Sequence, residues 1–145
     1  MLFQGEDSSL KLDVVSYELP EGEGDPAGDD RNWLVLRARW TNEDGDIVID
    51  SNSCLLTYEL ADMRVGLKVL EAGLKGTYES DFSAPYFLLA ADAEGDGFRF
   101  YVSFFLPNTM DGDDTANIRC FMDKTQMKEL IAELDRLCAK FPDRP

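Results

Sequence analysis

Alternation of apolar and polar residues, the pattern of a strand with one buried face, is clearest from Trp33 to Thr41. Leu34, Leu36, Ala38 and Trp40 share one face, and Trp33, Val35, Arg37 and Arg39 share the other. Over residues 10–19 the alternation changes phase at Val14, which predicts a strand with a bulge or bend there. Residues 47–49, 86–92, 98–106 and 118–122 have the composition of further strands, and residues 2–5 can be read as a short strand ahead of Leu10. Turn-forming sequences at 42–46 and 94–97 predict two hairpins.

Two segments have apolar residues spaced three and four apart, as a helix requires. The first runs from Leu56 toward Leu74, with Ser53 as one candidate cap and a nearby glycine to end it. The second is a C-terminal helix that begins at the capping pair Asp123 and Gln126. Its apolar stripe is Met127, Leu130, Ile131, Leu134, Leu137, Cys138 and Phe141, and Pro142 stops it.

These elements predict an α+β fold with a mostly antiparallel sheet of about six strands and two helices, the second at the C-terminus. Both helices are expected on one face of the sheet. A length of 145 residues with 44% apolar residues suits one domain over residues 1–145. The sequence shows no internal repeat and no linker.

The chain is strongly acidic, with 29 Asp and Glu against 14 Lys and Arg and a formal net charge of −15. Such a surface repels nucleic acid and anionic membranes and attracts basic partners. Acidity also serves solubility alone, which is the plain alternative. Without a secretory signal or an apolar span, the protein is expected in the cytoplasm.

Catalytic chemistry is restricted because the chain contains no histidine. Histidine-dependent nucleophiles, proton shuttles and zinc sites are therefore excluded. The three cysteines are expected to be small buried hydrophobes in a reducing compartment. No glycine-rich phosphate loop is present, and the Asp-rich turns lack the ligand spacing of a calcium loop. We therefore expect no enzymatic activity, no cofactor and no metal.

Two long acidic loops are the candidate partner-binding sites, because long loops in compact proteins are often functional. The first is the acidic loop of residues 20–32, and the second covers residues 107–116. Their candidate contact residues are Glu21, Glu23, Asp25, Asp29, Asp30, Asp111, Asp113 and Asp114.

A second candidate surface combines basic and aromatic residues on the polar strand faces, namely Arg37, Arg39, Arg99, Tyr101, Arg119 and Phe121. If their strands are neighbours, one sheet face would resemble a platform for single-stranded nucleic acid. The alternatives are a solvated face with charge pairs to Asp and Glu, which the net charge favours, or a protein interface.

Five stretches of the chain carry a further signal, namely residues 10–12, 17–20, 32–40, 54–60 and 130–142. They resemble the WapI family of bacterial immunity proteins, and the resemblance covers nearly the whole chain. It implies a small cytoplasmic protein that binds and blocks the C-terminal toxin domain of a large surface protein, often a tRNA-cutting nuclease. An acidic scaffold or regulator without a toxin partner is the alternative.

Overall fold

The chain folds into eight strands and two helices over the residues that the computed structural model describes, 1–109 and 114–145. The strands are β1 (Leu2–Gln4), β2 (Ser9–Tyr17), β3 (Trp33–Thr41), β4 (Ile47–Leu56), β5 (Thr77–Glu79), β6 (Phe87–Glu94), β7 (Gly97–Phe105) and β8 (Thr115–Asp123). The helices are α1 (Thr57–Glu71) and α2 (Lys124–Lys140).

The strands form two antiparallel sheets of four, in the orders β1-β2-β3-β4 and β5-β6-β7-β8. We call them the N-terminal and the C-terminal sheet. Each sheet is followed in the chain by one helix, so the order of four strands and a helix occurs twice. The pattern of residues along the chain shows no sign of this structural repetition.

The predicted α+β class, the antiparallel pairing and the two helices are confirmed. The strand number is eight rather than about six: the short strand read at residues 2–5 is β1, and β5, which has only three residues, was not predicted. There are two sheets rather than one, since α1 separates β4 from β5 and neighbouring strands pair only within each half.

Local features follow the sequence closely. The register of β2 against β3 shifts between Val14 and Ser16, which is the predicted bulge. Both hairpins form, and Gly45 and Gly95 supply their positive φ angles of 84° and 58°. The Asp123 and Gln126 capping pair starts α2 as predicted.

The start of α1 differs from the prediction, because Ser53 lies within β4 and the cap position is Leu56. Leucine has no oxygen to cap the first turn, and the buried carboxylate of Glu59 instead binds backbone N–H groups outside the helix. Its Oε1 accepts the Leu56 N–H at 3.0 Å, and its Oε2 accepts the Ser83 N–H at 2.6 Å. Glu59 thus joins the start of α1 to the segment that precedes β6.

The core contains the apolar faces of both sheets and one stripe from each helix. Phe3 of β1 meets Phe100 of β7 at a ring-centroid distance of 6.1 Å, so the two sheets are in direct contact. The buried part of the α2 stripe is Met127, Leu130, Ile131 and Leu134.

At the surface the two helices are joined by ion pairs from α1 to Asp135 of α2. Arg64 contacts this carboxylate through Nε, and Lys68 contacts it at 2.9 Å. The hydrogen bonds from Lys68 and Arg64 lower the pKa of Asp135.

Gly66 creates the space in which α1 meets β5. A Cβ atom built on Gly66 would lie 2.2 Å from Cε1 of Tyr78. Burial is the main cause that raises the pKa of Tyr78 to about 12, and the nearby carboxylates Asp62 and Glu59 contribute less. The ring is therefore held in a partly desolvated position directly over the glycine.

Replacing Gly66 by Ala should destabilise the protein by ~1–3 kcal/mol in chemical denaturation, because the added methyl group overpacks the contact with Tyr78. In an open helix the same change would stabilise by about 1 kcal/mol, so the sign of the effect tests the contact. Val65→Ala on the exposed side of α1 is the matched control and should have little effect. An increase in stability for Gly66→Ala would contradict the packing described here.

Candidate protein-binding surface

The acidic loop, residues 20–32, connects β2 to β3. It ends in a 3-10 turn, residues Asp30–Asn32, which leads directly into β3. Every residue from 21 to 30 is exposed. None of them contributes to the core, so their composition is not required by the packing of the protein. The five predicted acids of this loop therefore share one continuous solvent-facing segment.

Arg31 organises this loop from within. Its guanidinium donates hydrogen bonds to the carbonyl oxygens of Gly24 at 3.0 Å, Gly22 at 3.3 Å and Pro145 at 2.9 Å. Gly22 and Gly24 have φ angles of 83° and 92°, which glycine adopts without strain and which turn these carbonyls toward the arginine. Arg31 thus holds together a loop whose carboxylates repel one another.

Two of the loop carboxylates also serve its internal structure. Asp25 Oδ1 accepts the Ala27 N–H at 2.9 Å, and Asp30 Oδ2 accepts the Asp25 N–H at 3.2 Å. Asp29 accepts a longer hydrogen bond, at 3.4 Å, from the hydroxyl of Tyr58 on α1. Among the described residues, Glu21 and Glu23 make no side-chain hydrogen bond or ion pair, which leaves them fully available to a partner.

The base of the loop is fixed to the segment after α2. Tyr17 donates to the carbonyl of Pro142 at 2.5 Å, and the Arg144 guanidinium lies 3.5 Å from the centre of the Tyr17 ring. Arg144 also donates to the carbonyl of Leu19 at 2.9 Å. Asn32 completes the contact by accepting the Arg144 N–H at 2.7 Å. These contacts attach both ends of the loop to the segment after α2.

The second predicted loop is described only at its ends, and Asp111 and Asp113 lie outside the described residues. Asp114 is exposed, and its carbonyl accepts the Leu106 N–H at 2.9 Å. The start of this loop is held by buried Asp50 of β4, which accepts hydrogen bonds from the backbone and side-chain amides of Asn108, both at 2.7 Å. Within the described part of the chain, no hydrogen bond or ion pair joins the two acidic loops.

The basic and aromatic residues predicted on the polar strand faces do not form one sheet surface. Arg37 and Arg39 belong to the N-terminal sheet, and the other four belong to the C-terminal sheet. On the C-terminal sheet, Arg99 and Arg119 lie over the rings of Phe121 and Tyr101, each at 5.3 Å from the ring centre. The Glu94 carboxylate also binds Arg99 at 2.8 Å, and this hydrogen bond lowers the pKa of Glu94. The face therefore satisfies much of its charge internally.

Cys54 and Cys120 are poor nucleophiles because they are buried, and burial raises the pKa of their thiols to about 12 and about 11. Cys138 is only partly buried, contrary to expectation, and burial raises the pKa of its thiol as well. No group of three Cys, Asp or Glu side chains suited to a metal ion occurs over residues 1–109 and 114–145. No helix in that same part of the chain is long and apolar enough to cross a membrane.

The fold is similar to that of a solved structure, described as that of the plant transcriptional regulator PBF-2. The TM-score is 0.50 at 16% sequence identity, over 94% of this chain and 84% of the other. At this level of identity the likeness concerns the fold alone. A comparison with curated proteins gives no match.

The sequence profile of the Immunity protein WapI-like family matches residues 1–142. The chain belongs to this family, and the resemblance seen in the sequence is confirmed.

Sequence reasoning located the acidic residues but missed the groups that hold them in place. Arg31 stands in the sequence as one basic residue after two aspartates, and Arg144 lies beyond the last helix. Only folding brings Arg144 back to the base of the acidic loop. The one signal available beforehand was the pair of glycines at positions 22 and 24, whose spacing suits a closely turned backbone.

Replacing Arg31 by Met should loosen the acidic loop while leaving the rest of the fold intact. Three hydrogen bonds to backbone carbonyls are lost, but all lie at the surface, where each contributes on the order of 1 kcal/mol or less. Cleavage after Glu21 and Glu23 by a glutamate-specific protease should accelerate several-fold, with a small change in melting temperature. Arg136→Met, an equal charge change on the exposed side of α2, is the control. Equal cleavage rates for both variants would show that Arg31 does not order the loop.

Proposed function

We propose that this protein is a non-catalytic immunity protein that binds and neutralises a cognate toxin domain. The observation that carries the proposal is an acidic loop, held by hydrogen bonds from Arg31 and Arg144, in which every residue from 21 to 30 is exposed. Membership of an immunity protein family supports a protein toxin as the partner. By the cognate toxin domain we mean the C-terminal domain of a large surface protein, which we expect to be encoded next to the gene of this protein.

The proposed target on the toxin is a basic substrate groove, such as that of a tRNA-cutting ribonuclease. Any enzyme that binds RNA presents Lys and Arg to the phosphates. Carboxylates on the acidic loop would occupy the same positions and block access by RNA. The net charge of −15 would also steer the protein toward such a groove from a distance.

Order in the loop bears directly on affinity. A flexible loop loses conformational entropy on binding, whereas a loop already held by Arg31 and by the contact between Tyr17 and Arg144 loses less. Inhibition by occupancy needs no catalytic group, no cofactor and no metal. It would act in the cytoplasm, where the RNA substrate is found.

Neutralising the acidic loop should slow association with the cognate toxin domain by about tenfold, because long-range attraction is reduced. The variant carries Glu21→Gln, Glu23→Gln, Asp25→Asn, Asp29→Asn and Asp30→Asn. Melting should change little, since exposed acids contribute little to stability and the amide oxygens can still accept the loop hydrogen bonds. Stopped-flow association rates over a salt series provide the measurement, and the wild-type rate should fall steeply as salt rises.

A matched control removes five other exposed acids in the turns at the opposite end of the N-terminal sheet. Its substitutions are Glu6→Gln, Asp7→Asn, Glu43→Gln, Asp44→Asn and Asp46→Asn. Equal slowing by both variants would show that net charge acts without a specific contact by the loop. The variant Asp111→Asn, Asp113→Asn, Asp114→Asn tests the second loop in the same way.

Protection of cells separates this proposal from the alternative of an acidic scaffold. Expression of the protein together with the cognate toxin domain should restore growth. Failure to bind the domain or to restore growth would favour the scaffold.

A further inference from the structure

The outer face of the N-terminal sheet carries a row of side chains that crosses all four strands. The register places Leu2 opposite Lys11, Lys11 opposite Arg39, and Arg39 opposite Ile49. Like charges directly opposite each other on neighbouring strands are destabilising. In a chain with twice as many acids as bases, the pairing of Lys11 with Arg39 is therefore a local cost that composition alone does not explain.

A single carboxylate, that of Asp13, lies among these cations. The adjacent row adds Arg37 opposite Asp13, whose carboxylate lies 3.9 Å from Nζ of Lys11. Arg37 and Arg39 form no ion pair with any residue in the described part of the chain. Lys11, Asp13, Arg37, Arg39 and Ile49 line one cavity of about 240 Å³. It presents three cations and one carboxylate to solvent.

Exposed aliphatic side chains border the same cations. Leu2, Ile47 and Ile49 are 57%, 52% and 62% exposed, which makes them three of the more exposed large hydrophobic residues. Ile47 lies two residues before Ile49 on β4 and therefore points to the same side of the sheet. We call Lys11, Arg37, Arg39, Leu2, Ile47 and Ile49 together the cationic patch.

We propose that the cationic patch is a second contact surface for the cognate toxin domain and receives a segment of that domain whose carboxylates stand beside apolar side chains. This inference rests on the proposed function and adds to it an interface of opposite charge. The two surfaces have different roles: the acidic loop steers association, and the patch, with its apolar border, slows dissociation.

The composition of the patch favours a protein segment over nucleic acid. Single-stranded nucleic acid is held by aromatic side chains on which bases stack, whereas the side chains bordering these cations are aliphatic. A second copy of the chain docked symmetrically on this face would bring its own cations against the same cations, which is unfavourable.

The variant Arg39→Glu separates this role from long-range steering. It makes the chain more acidic, so steering alone predicts faster association and no loss of affinity. A contact with toxin carboxylates instead predicts a rise in Kd of tenfold or more, mostly through faster dissociation. Because the introduced carboxylate would face Lys11, the melting temperature should be unchanged or higher, which excludes loss of fold as the cause.

Surface-binding kinetics with the cognate toxin domain measure both rate constants. Ile49→Ser tests the apolar border and should also speed dissociation several-fold. Lys128→Glu, the same charge reversal on the exposed face of α2, is the control and should bind as wild type does or faster. Two further measurements test the alternative occupants. Titration of a fluorescent single-stranded oligonucleotide tests nucleic acid, and sedimentation of the free protein tests a second copy of the chain.

Wild-type dissociation rates in both Arg39→Glu and Ile49→Ser would overturn the second surface and leave the proposed function standing. Absence of toxin binding by the wild type would overturn both. Tight oligonucleotide binding lost in Arg39→Glu, or dimers of the wild type lost in that variant, would assign the patch to those occupants and overturn the inference.

Discussion

Each sheet of this protein has a single apolar face, and those two faces must be covered by each other and by the helices. Contact between Phe3 and Phe100 brings the sheets together, and the buried stripes of α1 and α2 complete the shared core. The buried carboxylate of Glu59 and the glycine at position 66 then fix where α1 lies. The surfaces available to a partner are therefore the outer faces of the sheets and the loops.

The sequence predicted those elements whose residues repeat with a clear period. The strand from Trp33 to Thr41, the bulge at Val14, the two hairpins and α2 all follow from alternation, turn chemistry or a capping pair. The three-residue strands β1 and β5 show no period, so β1 could be read only as a short strand ahead of Leu10 and β5 was missed. The division into two sheets was also missed, since pairing partners beyond a hairpin depend on tertiary packing.

The sequence predicted which acidic residues form the candidate site, but not which residues hold them in place. Acids such as Glu21 and Glu23 can be read directly from the sequence, but Arg31 and Arg144 act through backbone carbonyls that only the folded loop presents. The polar strand faces show the same limit. Alternation correctly placed Arg37 and Arg39 on an outer face, whereas the pairing of Arg39 with Lys11 depends on the register of β2 against β3.

The acidic loop is held by backbone carbonyls, by Tyr17 and by the segment after α2, while its residues from 21 to 30 are exposed and none belongs to the core. Apart from Gly22, Gly24, Asp25 and Asp30, which shape the loop, these positions can be substituted with little effect on folding. Such a loop can adapt to changes in its partner through single substitutions, because most of the intermediate sequences still fold into stable proteins. The residues that anchor the loop, Arg31, Tyr17 and Arg144, are the ones at which substitutions are expected to be least tolerated.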